Sequence, residues 1–113
     1  MVSDRRDDRE LCADLVRVQW NMTSEQVRTE TAILEDISAS GACLEMESAI
    51  QPGAKVSLDF PTDHCEAMVV YCKFDTVKYL VGVEFEQGYR WSRRRFKPQH
   101  LLQFRLRKVE KLQ

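Results

Sequence analysis

The chain has 113 residues and a net charge of −1, with 43% hydrophobic and 31% charged residues. This size fits one domain and is too small for two, and the composition is that of an ordinary globular protein. No stretch approaches the roughly 20 apolar residues of a membrane helix, and the N-terminus, MVSDRRDD, lacks the apolar core of a signal peptide. We therefore expect a single cytoplasmic domain, 1–113, without a membrane span.

Charge is distributed unevenly along the chain. Residues 90–113 hold nine arginines and lysines against one glutamate, a net charge of +8, so residues 1–89 carry −9. A basic tail can contact an anionic partner, or it can be solvated beside an acidic body. The acidic body and the absence of a basic, aromatic strand pattern disfavour a nucleic-acid-binding barrel.

Residues 1–10 are polar and rich in charge, and their lack of periodicity predicts a flexible arm. From Leu11 onward, apolar residues alternate with polar ones in short runs, as in strands that bury one face. Six strands are predicted, marked in chain order by Val16, Val18 and Trp20; by residues 27–34; by Leu44 and Met46; by Val56, Leu58 and Phe60; by Met68, Val70, Cys72 and Phe74; and by Tyr79, Val81, Val83 and Phe85. Residues 36–41 interrupt the pattern as a loop. Short strands at this spacing indicate an antiparallel sandwich or barrel.

The pattern changes after Gly88. Pro98 suits the first turn of a helix, and Leu102, Leu106 and Val109 repeat at positions i, i+4 and i+7. Residues 89–113 are therefore predicted to be a basic segment with an α-helix whose apolar stripe packs on the barrel. Self-association or partner binding through this stripe is the alternative, and the oligomeric state stays open.

The four cysteines have no CxxC spacing, and the two histidines form no ligand pattern with them. We expect buried or half-buried thiols in a reducing compartment, with a metal site or a sensory disulfide as lesser alternatives. No Ser/His/Asp set and no Gly-rich phosphate loop is present, so we predict no enzyme, no catalytic residue, no metal and no cofactor. Trp20 and Trp91 are expected to pack in the core or at a barrel rim.

Two polar clusters stand out against the strand pattern. The first contains an RxxxR spacing, with a third arginine inside it, in Arg5-Arg6-Asp7-Asp8-Arg9. The second is a DxSxxG sequence, Asp36-Ile37-Ser38-Ala39-Ser40-Gly41. The guanidinium of arginine offers forked donors that fit phosphate, and it also fits the N7 and O6 edge of guanine.

The second cluster offers complementary groups. The Asp36 carboxylate can accept hydrogen bonds from N1–H and N2–H₂ of guanine, the Ser38 hydroxyl can bond phosphate or backbone, and Gly41 permits positive φ or a close backbone approach. Both clusters together suit a cyclic dinucleotide with two phosphates and two guanines. Alternatively, the arginines form a solvated arm, and Asp36 and Ser38 cap their own loop.

The order of the two clusters, their separation and the strands that follow resemble the PilZ family, small β-barrels that bind the bacterial second messenger cyclic di-GMP. The resemblance covers residues 4–102, and Gly82-Val83-Glu84-Phe85 resembles the sixth strand typical of the family. It implies a mainly β fold with a six-stranded antiparallel barrel over residues 11–88, which joins the flexible N-terminal arm, 1–10, to the C-terminal α-helix within 89–113 that the sequence pattern predicts. It implies that Arg5, Arg6 and Arg9 wrap over the ligand, and that Asp36, Ser38 and Gly41 contact it between the second and third strands.

The resemblance also implies a function. The protein is expected to be a cyclic di-GMP receptor whose arm changes conformation on binding and signals to an unidentified downstream protein. Asp7 and Asp8 depart from an ideal site, because they add negative charge and can pair with the arginines in the free state. A PilZ-like adaptor that binds a protein and no nucleotide is the alternative.

Overall fold

The computed structural model describes residues 9–99 and contains six β-strands. In chain order they are β1 (Glu10–Asn21), β2 (Val27–Ile37), β3 (Gly41–Met46), β4 (Lys55–Phe60), β5 (Asp63–Asp75) and β6 (Lys78–Phe85). Every neighbouring pair is antiparallel, and the order β1-β2-β3-β6-β5-β4 closes on itself through β1 and β4. The prediction of a six-stranded antiparallel barrel is confirmed.

Alternation of apolar and polar residues forms the barrel, since one side chain in two points inward. In β1, Val16, Val18 and Trp20 are all buried, and their neighbours along the strand are exposed. The predicted inward residues of β4 and of the later part of β6 are buried in the same way, although Gly82, between Val81 and Val83, is buried as well. Closure of the sheet buries these residues in a single core.

The loop predicted for residues 36–41 is shorter in the structure. β2 continues through Asp36, which pairs with Leu11 on β1 and with Cys43 on β3, and β3 already begins at Gly41. A register shift between Leu34 and Asp36 marks a β-bulge in β2. Because of this extra residue, Ile37 can return to the core, where it is fully buried.

β5 buries a different set of residues from the one that marked it in the sequence. Cys65, Ala67 and Val69 point inward, whereas Met68 and Val70 are 43% and 49% exposed. A register shift between Val69 and Tyr71 places a bulge at Val70, which reverses the inward and outward positions beyond it. Met68 and Val70 therefore form a small apolar patch on the outer face in the middle of this strand.

The two ends of the barrel are built differently. At the arm end, where β1, β3 and β5 begin, residues 86–99 cross the opening. Trp91 is buried there, its Nε1–H donates to the carbonyl oxygen of Phe96 at 3.1 Å, and the rings of Phe96 and Phe60 lie 4.7 Å apart. The backbone N–H of Gln99 donates to the buried carboxylate of Asp14 at 2.7 Å. At the opposite, far end, the loop between β3 and β4 fills the opening with Ile50.

Several smaller expectations can be compared with this architecture. All four cysteines are free, three of them buried and Cys72 half-buried, and both tryptophans pack in the core, as predicted. No helix occurs between residues 89 and 99, and the predicted C-terminal helix otherwise falls on residues 100–113, outside the described range. Most of the predicted arm lies outside it as well, so the boundaries 1–10 and 89–113 stay predictions. Within residues 9–99, no helix is long and apolar enough to cross a membrane.

Candidate functional site

Arg9 and Asp36 meet at the arm end of the barrel. Arg9 directly precedes β1, and the pairing of Leu11 with Asp36 brings the end of β2 beside it. The Nη1 atom of Arg9 lies 3.0 Å from Oδ1 and 3.1 Å from Oδ2 of Asp36. The side chain of Asp36 is only 15% exposed, whereas that of Arg9 is 45% exposed. An accessible cation therefore covers a recessed carboxylate.

The carboxylate of Asp36 is held in an electrostatically unfavourable position. Burial raises its pKa above the ordinary aspartate value, and the guanidinium of Arg9 and the backbone N–H of Cys43 lower it only in part. A group with these properties gains from any further hydrogen-bond donor that reaches it. The donor edge of a ligand is one such partner.

Ser38 and Gly41 form the turn that follows Asp36. The backbone N–H of Ser38 donates to the carbonyl oxygen of Gly41 at 2.8 Å, and its Oγ–H donates to the same oxygen at 3.3 Å. The carbonyl oxygens of Ala39 and Ser40 accept from the backbone N–H groups of Trp91 and Phe85 at 3.0 and 2.8 Å. The turn is thus fixed to β6 and to the segment that closes the arm end.

Gly41 is required by space rather than by its backbone angles. Its φ is not among the positive values in the described chain, but a Cβ atom there would lie 2.4 Å from the carbonyl oxygen of Val83. Of the two roles expected from the sequence, close backbone approach is the one observed. The approach lets β3 pair tightly with β6 at the site.

Tyr71 is a neighbour of the site that the sequence pattern did not predict. Its ring covers Gly82 on β6, where a Cβ atom would meet it at 2.1 Å, and its hydroxyl donates to Sγ of Cys43 at 3.5 Å. The hydrogen bond to Cys43, burial and the negative charge of Asp36 raise the pKa of Tyr71 to about 12. The combination of a strand glycine and an aromatic residue on the adjacent strand was the available signal.

A further arginine near the arm was also missed. Arg93, from the closing segment, makes two hydrogen bonds to the carboxylate of Glu10 at 3.0 and 3.1 Å. This pair connects the first residue of β1 to a segment 83 positions later. It fixes Glu10, the residue that follows Arg9, where the predicted arm joins β1.

The structure thus brings together Arg9, Asp36, Ser38 and Gly41 from the set predicted as ligand-binding. Arg5 and Arg6, the other two members, lie outside the described residues. Among residues 9–99, no group of three or more His, Cys, Asp or Glu side chains is arranged to hold a metal ion. The cluster offers an accessible guanidinium, a recessed carboxylate and a fixed turn, which suit an anionic ligand that also carries hydrogen-bond donors.

Comparison with known proteins supports the family that the two sequence motifs resemble. A family model described as PilZ domain matches residues 3–105. No curated protein matches the chain. The match extends from the arginine cluster to beyond the segment that closes the arm end, and it includes every strand of the barrel. The chain therefore belongs to the PilZ domain family, a family of receptors for cyclic di-GMP.

Proposed function

We propose that this protein is a cyclic di-GMP receptor that binds its ligand at the arm end through Arg5, Arg6, Arg9, Asp36, Ser38 and Gly41. The observation that carries the proposal is the contact between Arg9 and Asp36, which unites the two motifs of the sequence at 3.0 Å. One group of this pair suits phosphate and the other suits the donor edge of guanine. A cyclic dinucleotide presents both kinds of group at a short separation.

Binding requires the ion pair between Arg9 and Asp36 to open or to admit the ligand as a third partner. Because Arg9 is 45% exposed, water screens the pair, and its contribution is at most about 1 kcal/mol. Hydrogen bonds to charged groups contribute about 1.5–3 kcal/mol each, so a ligand that bonds both groups replaces the pair favourably. The ion pair then acts as a temporary partner that keeps both groups in place.

The proposed response to binding is ordering of the arm around the ligand, with a downstream protein that senses the change. Ordering has an entropic cost, so we expect a moderate affinity. We propose no catalytic step, since recognition alone accounts for the groups at the site. The four free thiols support a location in the reducing cytoplasm.

One observation favours the adaptor that binds no nucleotide. Arg9 and Asp36 already satisfy each other, so the free protein has no unpaired charge at this contact that requires a ligand. In that alternative, the ion pair is a structural clamp between the arm and β2. Removal of Arg9 then lowers stability and leaves no binding to lose.

Calorimetric titration distinguishes these possibilities. Cyclic di-GMP should bind with one or two molecules per chain, while GMP and the adenine analogue, cyclic di-AMP, should bind far more weakly. GMP cannot engage both clusters at once. Adenine lacks the N1–H and N2–H₂ groups that would donate hydrogen bonds to Asp36. Absence of heat for cyclic di-GMP up to about 100 µM, which corresponds to about 5.5 kcal/mol, contradicts the receptor function.

A further inference from the structure

The wall of the barrel has a gap at the far end. β5 has 13 residues and β4 only six, so β5 runs beyond its neighbour. The last residue pair between β4 and β5 is Lys55 with Met68. Just beyond it, the backbone of Val69 accepts a hydrogen bond from Gly53 at 2.7 Å and donates one to Ala54 at 2.9 Å. From there to Asp75, β5 pairs with β6 alone among the described residues. The backbone groups of residues 71–75 that point away from β6 have no strand opposite them in this part of the chain.

β1 forms the other side of this gap. Its last pair with β4 joins Trp20 to Val56, and β1 ends at Asn21. The gap continues the line of β4, since β4 lies between β1 and β5. Two strand spacings separate β1 from β5, about 10 Å, and one extended chain fits between them.

The gap opens onto an uncharged cleft of about 530 Å³. Its walls are mainly apolar and include Trp20, Met22, Ile50, Pro52, Cys72 and Tyr79. Phe74, which is 61% exposed, packs edge-on against Tyr79 with the ring centres 5.2 Å apart and extends this surface along the β5–β6 hairpin. Met22 and Val77 are 50% and 73% exposed at the same end. An apolar surface thus adjoins an unpaired strand edge.

We propose that this gap accepts an extended segment of a partner protein, which pairs with β5 between residues 71 and 75 in line with β4. The unpaired backbone edge selects a polypeptide, because only a peptide backbone repeats donors and acceptors at the spacing of a strand. Alternate side chains of the segment enter the apolar cleft, and the others face solvent. Lys55 and Lys73, both exposed beside the gap, favour acidic residues at the outward positions near them, and Asp75, exposed at the end of the edge, favours a basic residue there.

The occupant is a partner rather than another part of this chain. Both ends of the described range, Arg9 and Gln99, lie at the arm end, beside Asp36 and Asp14. In the tail beyond Gln99, Leu102, Leu106 and Val109 recur at helical spacing, and apolar and polar residues alternate only over 102–107. This run begins three residues after Gln99, a reach of about 11 Å, whereas the gap begins about 26 Å along β5 from Asp63 at the arm end. A second copy of the protein brings its own β5 joined to β6, which is too wide for a gap of one strand.

The first experiment selects peptides from a random library displayed on phage, with the full-length protein as bait. Selected sequences should share apolar residues at alternate positions. A synthetic peptide of this type should shift the amide resonances of residues 20–22, 49–54 and 71–75 and slow hydrogen exchange in residues 71–75. These signals are independent of cyclic di-GMP, so failure of the nucleotide site and failure of this site are separately visible.

A matched pair of variants then locates the site. Gln51→Trp introduces an indole at an exposed position of the cleft wall and should weaken peptide binding by about ten-fold or more, the effect of one strong contact. Gln87→Trp makes the same change at an exposed position of the arm end and should leave peptide affinity within about two-fold of the wild type. Equal effects of the two variants overturn the proposed position.

Three further results overturn the proposal. One is a selection that yields no peptide able to protect residues 71–75. Another is slow hydrogen exchange of these residues in the free protein at every concentration, because the chain then covers its own edge. The third is protection that grows with protein concentration together with dimerisation in sedimentation, because the occupant is then a second copy.

Discussion

The two ends of this barrel show two ways to finish the same sheet. At the arm end, residues 86–99 close the opening with Trp91. The backbone N–H groups of Trp91 and of Phe85 on β6 fix the turn between β2 and β3. At the far end, Ile50 fills the interior, but the wall stays incomplete because β4 is shorter than β5. The polar groups proposed to bind the nucleotide lie at the closed end, where neighbouring residues can hold them rigidly. The incomplete end presents apolar side chains and backbone groups, which suit a polypeptide.

The largest difference between the ends should appear in stability. Trp91→Ala removes a buried indole from the closing segment and should lower the free energy of unfolding by about 3–5 kcal/mol. Phe74→Ala removes a ring that is 61% exposed at the far end and should cost less than about 1 kcal/mol. Urea unfolding of both variants tests the comparison. Similar losses would mean that the far end is closed in solution as well.

The next effect concerns ligand binding at the arm end. Arg9→Ala and Asp36→Asn should each weaken cyclic di-GMP binding by about 1.5–3 kcal/mol, because each removes hydrogen bonds to a charged partner. The matched far-end changes, Arg28→Ala and Asp75→Asn, affect exposed residues and should leave affinity unchanged.

Calorimetry gives these affinities, and thermal melting without ligand provides the control for structure. Arg9→Ala, Arg28→Ala and Asp75→Asn should melt close to the wild type, since surface changes usually stay within about 0.5 kcal/mol. Asp36→Asn keeps the size of a recessed side chain and should cost no more than the ion pair, about 1 kcal/mol. If Arg9→Ala melts several degrees lower without ligand, the ion pair is a structural clamp and the adaptor alternative gains support.

Binding should also weaken in acid. Since burial raises the pKa of Asp36, the carboxylate takes up a proton above the ordinary aspartate value of about 3.9 as the pH falls. The protonated group no longer accepts both guanine donors, so the affinity for cyclic di-GMP should fall as the pH drops through this raised pKa. Without ligand, the contribution of Asp36 to the free energy of unfolding should instead rise as the pH falls, because the folded state binds this proton more tightly than the unfolded state. Titrations at several pH values, with Asp36→Asn as the pH-insensitive control, measure the effect.

A smaller contrast involves two glycines. Gly41→Ala places a Cβ atom 2.4 Å from a backbone oxygen of β6 and should cost about 1–3 kcal/mol, the usual range for overpacking. Gly53→Ala, at the far end, meets no atom within 4 Å, but φ is +95° there, and the strain should cost about 1–2 kcal/mol. Only Gly41→Ala should also disturb nucleotide binding. Loss of binding in both variants would contradict separate roles for the two ends.

The smallest expected effect belongs to His64, near the start of β5. Both of its ring nitrogens face carboxylates, those of Asp59 and Glu66, and hydrogen bonds to them raise its pKa. The charged imidazole therefore stabilises the fold fully below its unfolded pKa, and this contribution is lost as the pH rises through the folded value. Since the side chain is 52% exposed, the loss should stay below about 1 kcal/mol. Urea unfolding of the wild type and His64→Gln across this range should show a pH dependence in the wild type alone.

The sequence predicted the strands whose signal is local and missed the features that depend on bulges or on residues far apart in the chain. Period-two alternation identified β1, β4 and the later part of β6, because the pairing of β1 with β4 and that of β6 with β3 run without a register shift. It failed for β2 and β5 where bulges at Glu35 and Val70 insert one residue, and a bulge leaves no alternation signal. The sequence motifs placed Asp36 near Arg9 only by family resemblance.

The remaining site residues needed the tertiary structure. Contact between Glu10 and Arg93 joins positions 83 apart, and no local pattern reports it. The position of Tyr71 was easier to predict than that of Arg93, since β5 and β6 form a hairpin and Gly82 leaves room for a ring on the adjacent strand. Its register with Gly82, however, depends on the bulge at Val70 and was therefore hidden.

The burial of the cysteines has a practical consequence for chemical labelling. Burial raises the pKa of Cys12 and of Cys65 to about 12, and burial also raises the pKa of Cys43, so these thiols form little of the reactive thiolate at neutral pH. Cys72 is the half-buried exception, and it lines the cleft at the far end. A thiol-reactive fluorophore should therefore attach there selectively under native conditions. The wild-type chain thus carries its own attachment point for a reporter of events at the incomplete end of the barrel.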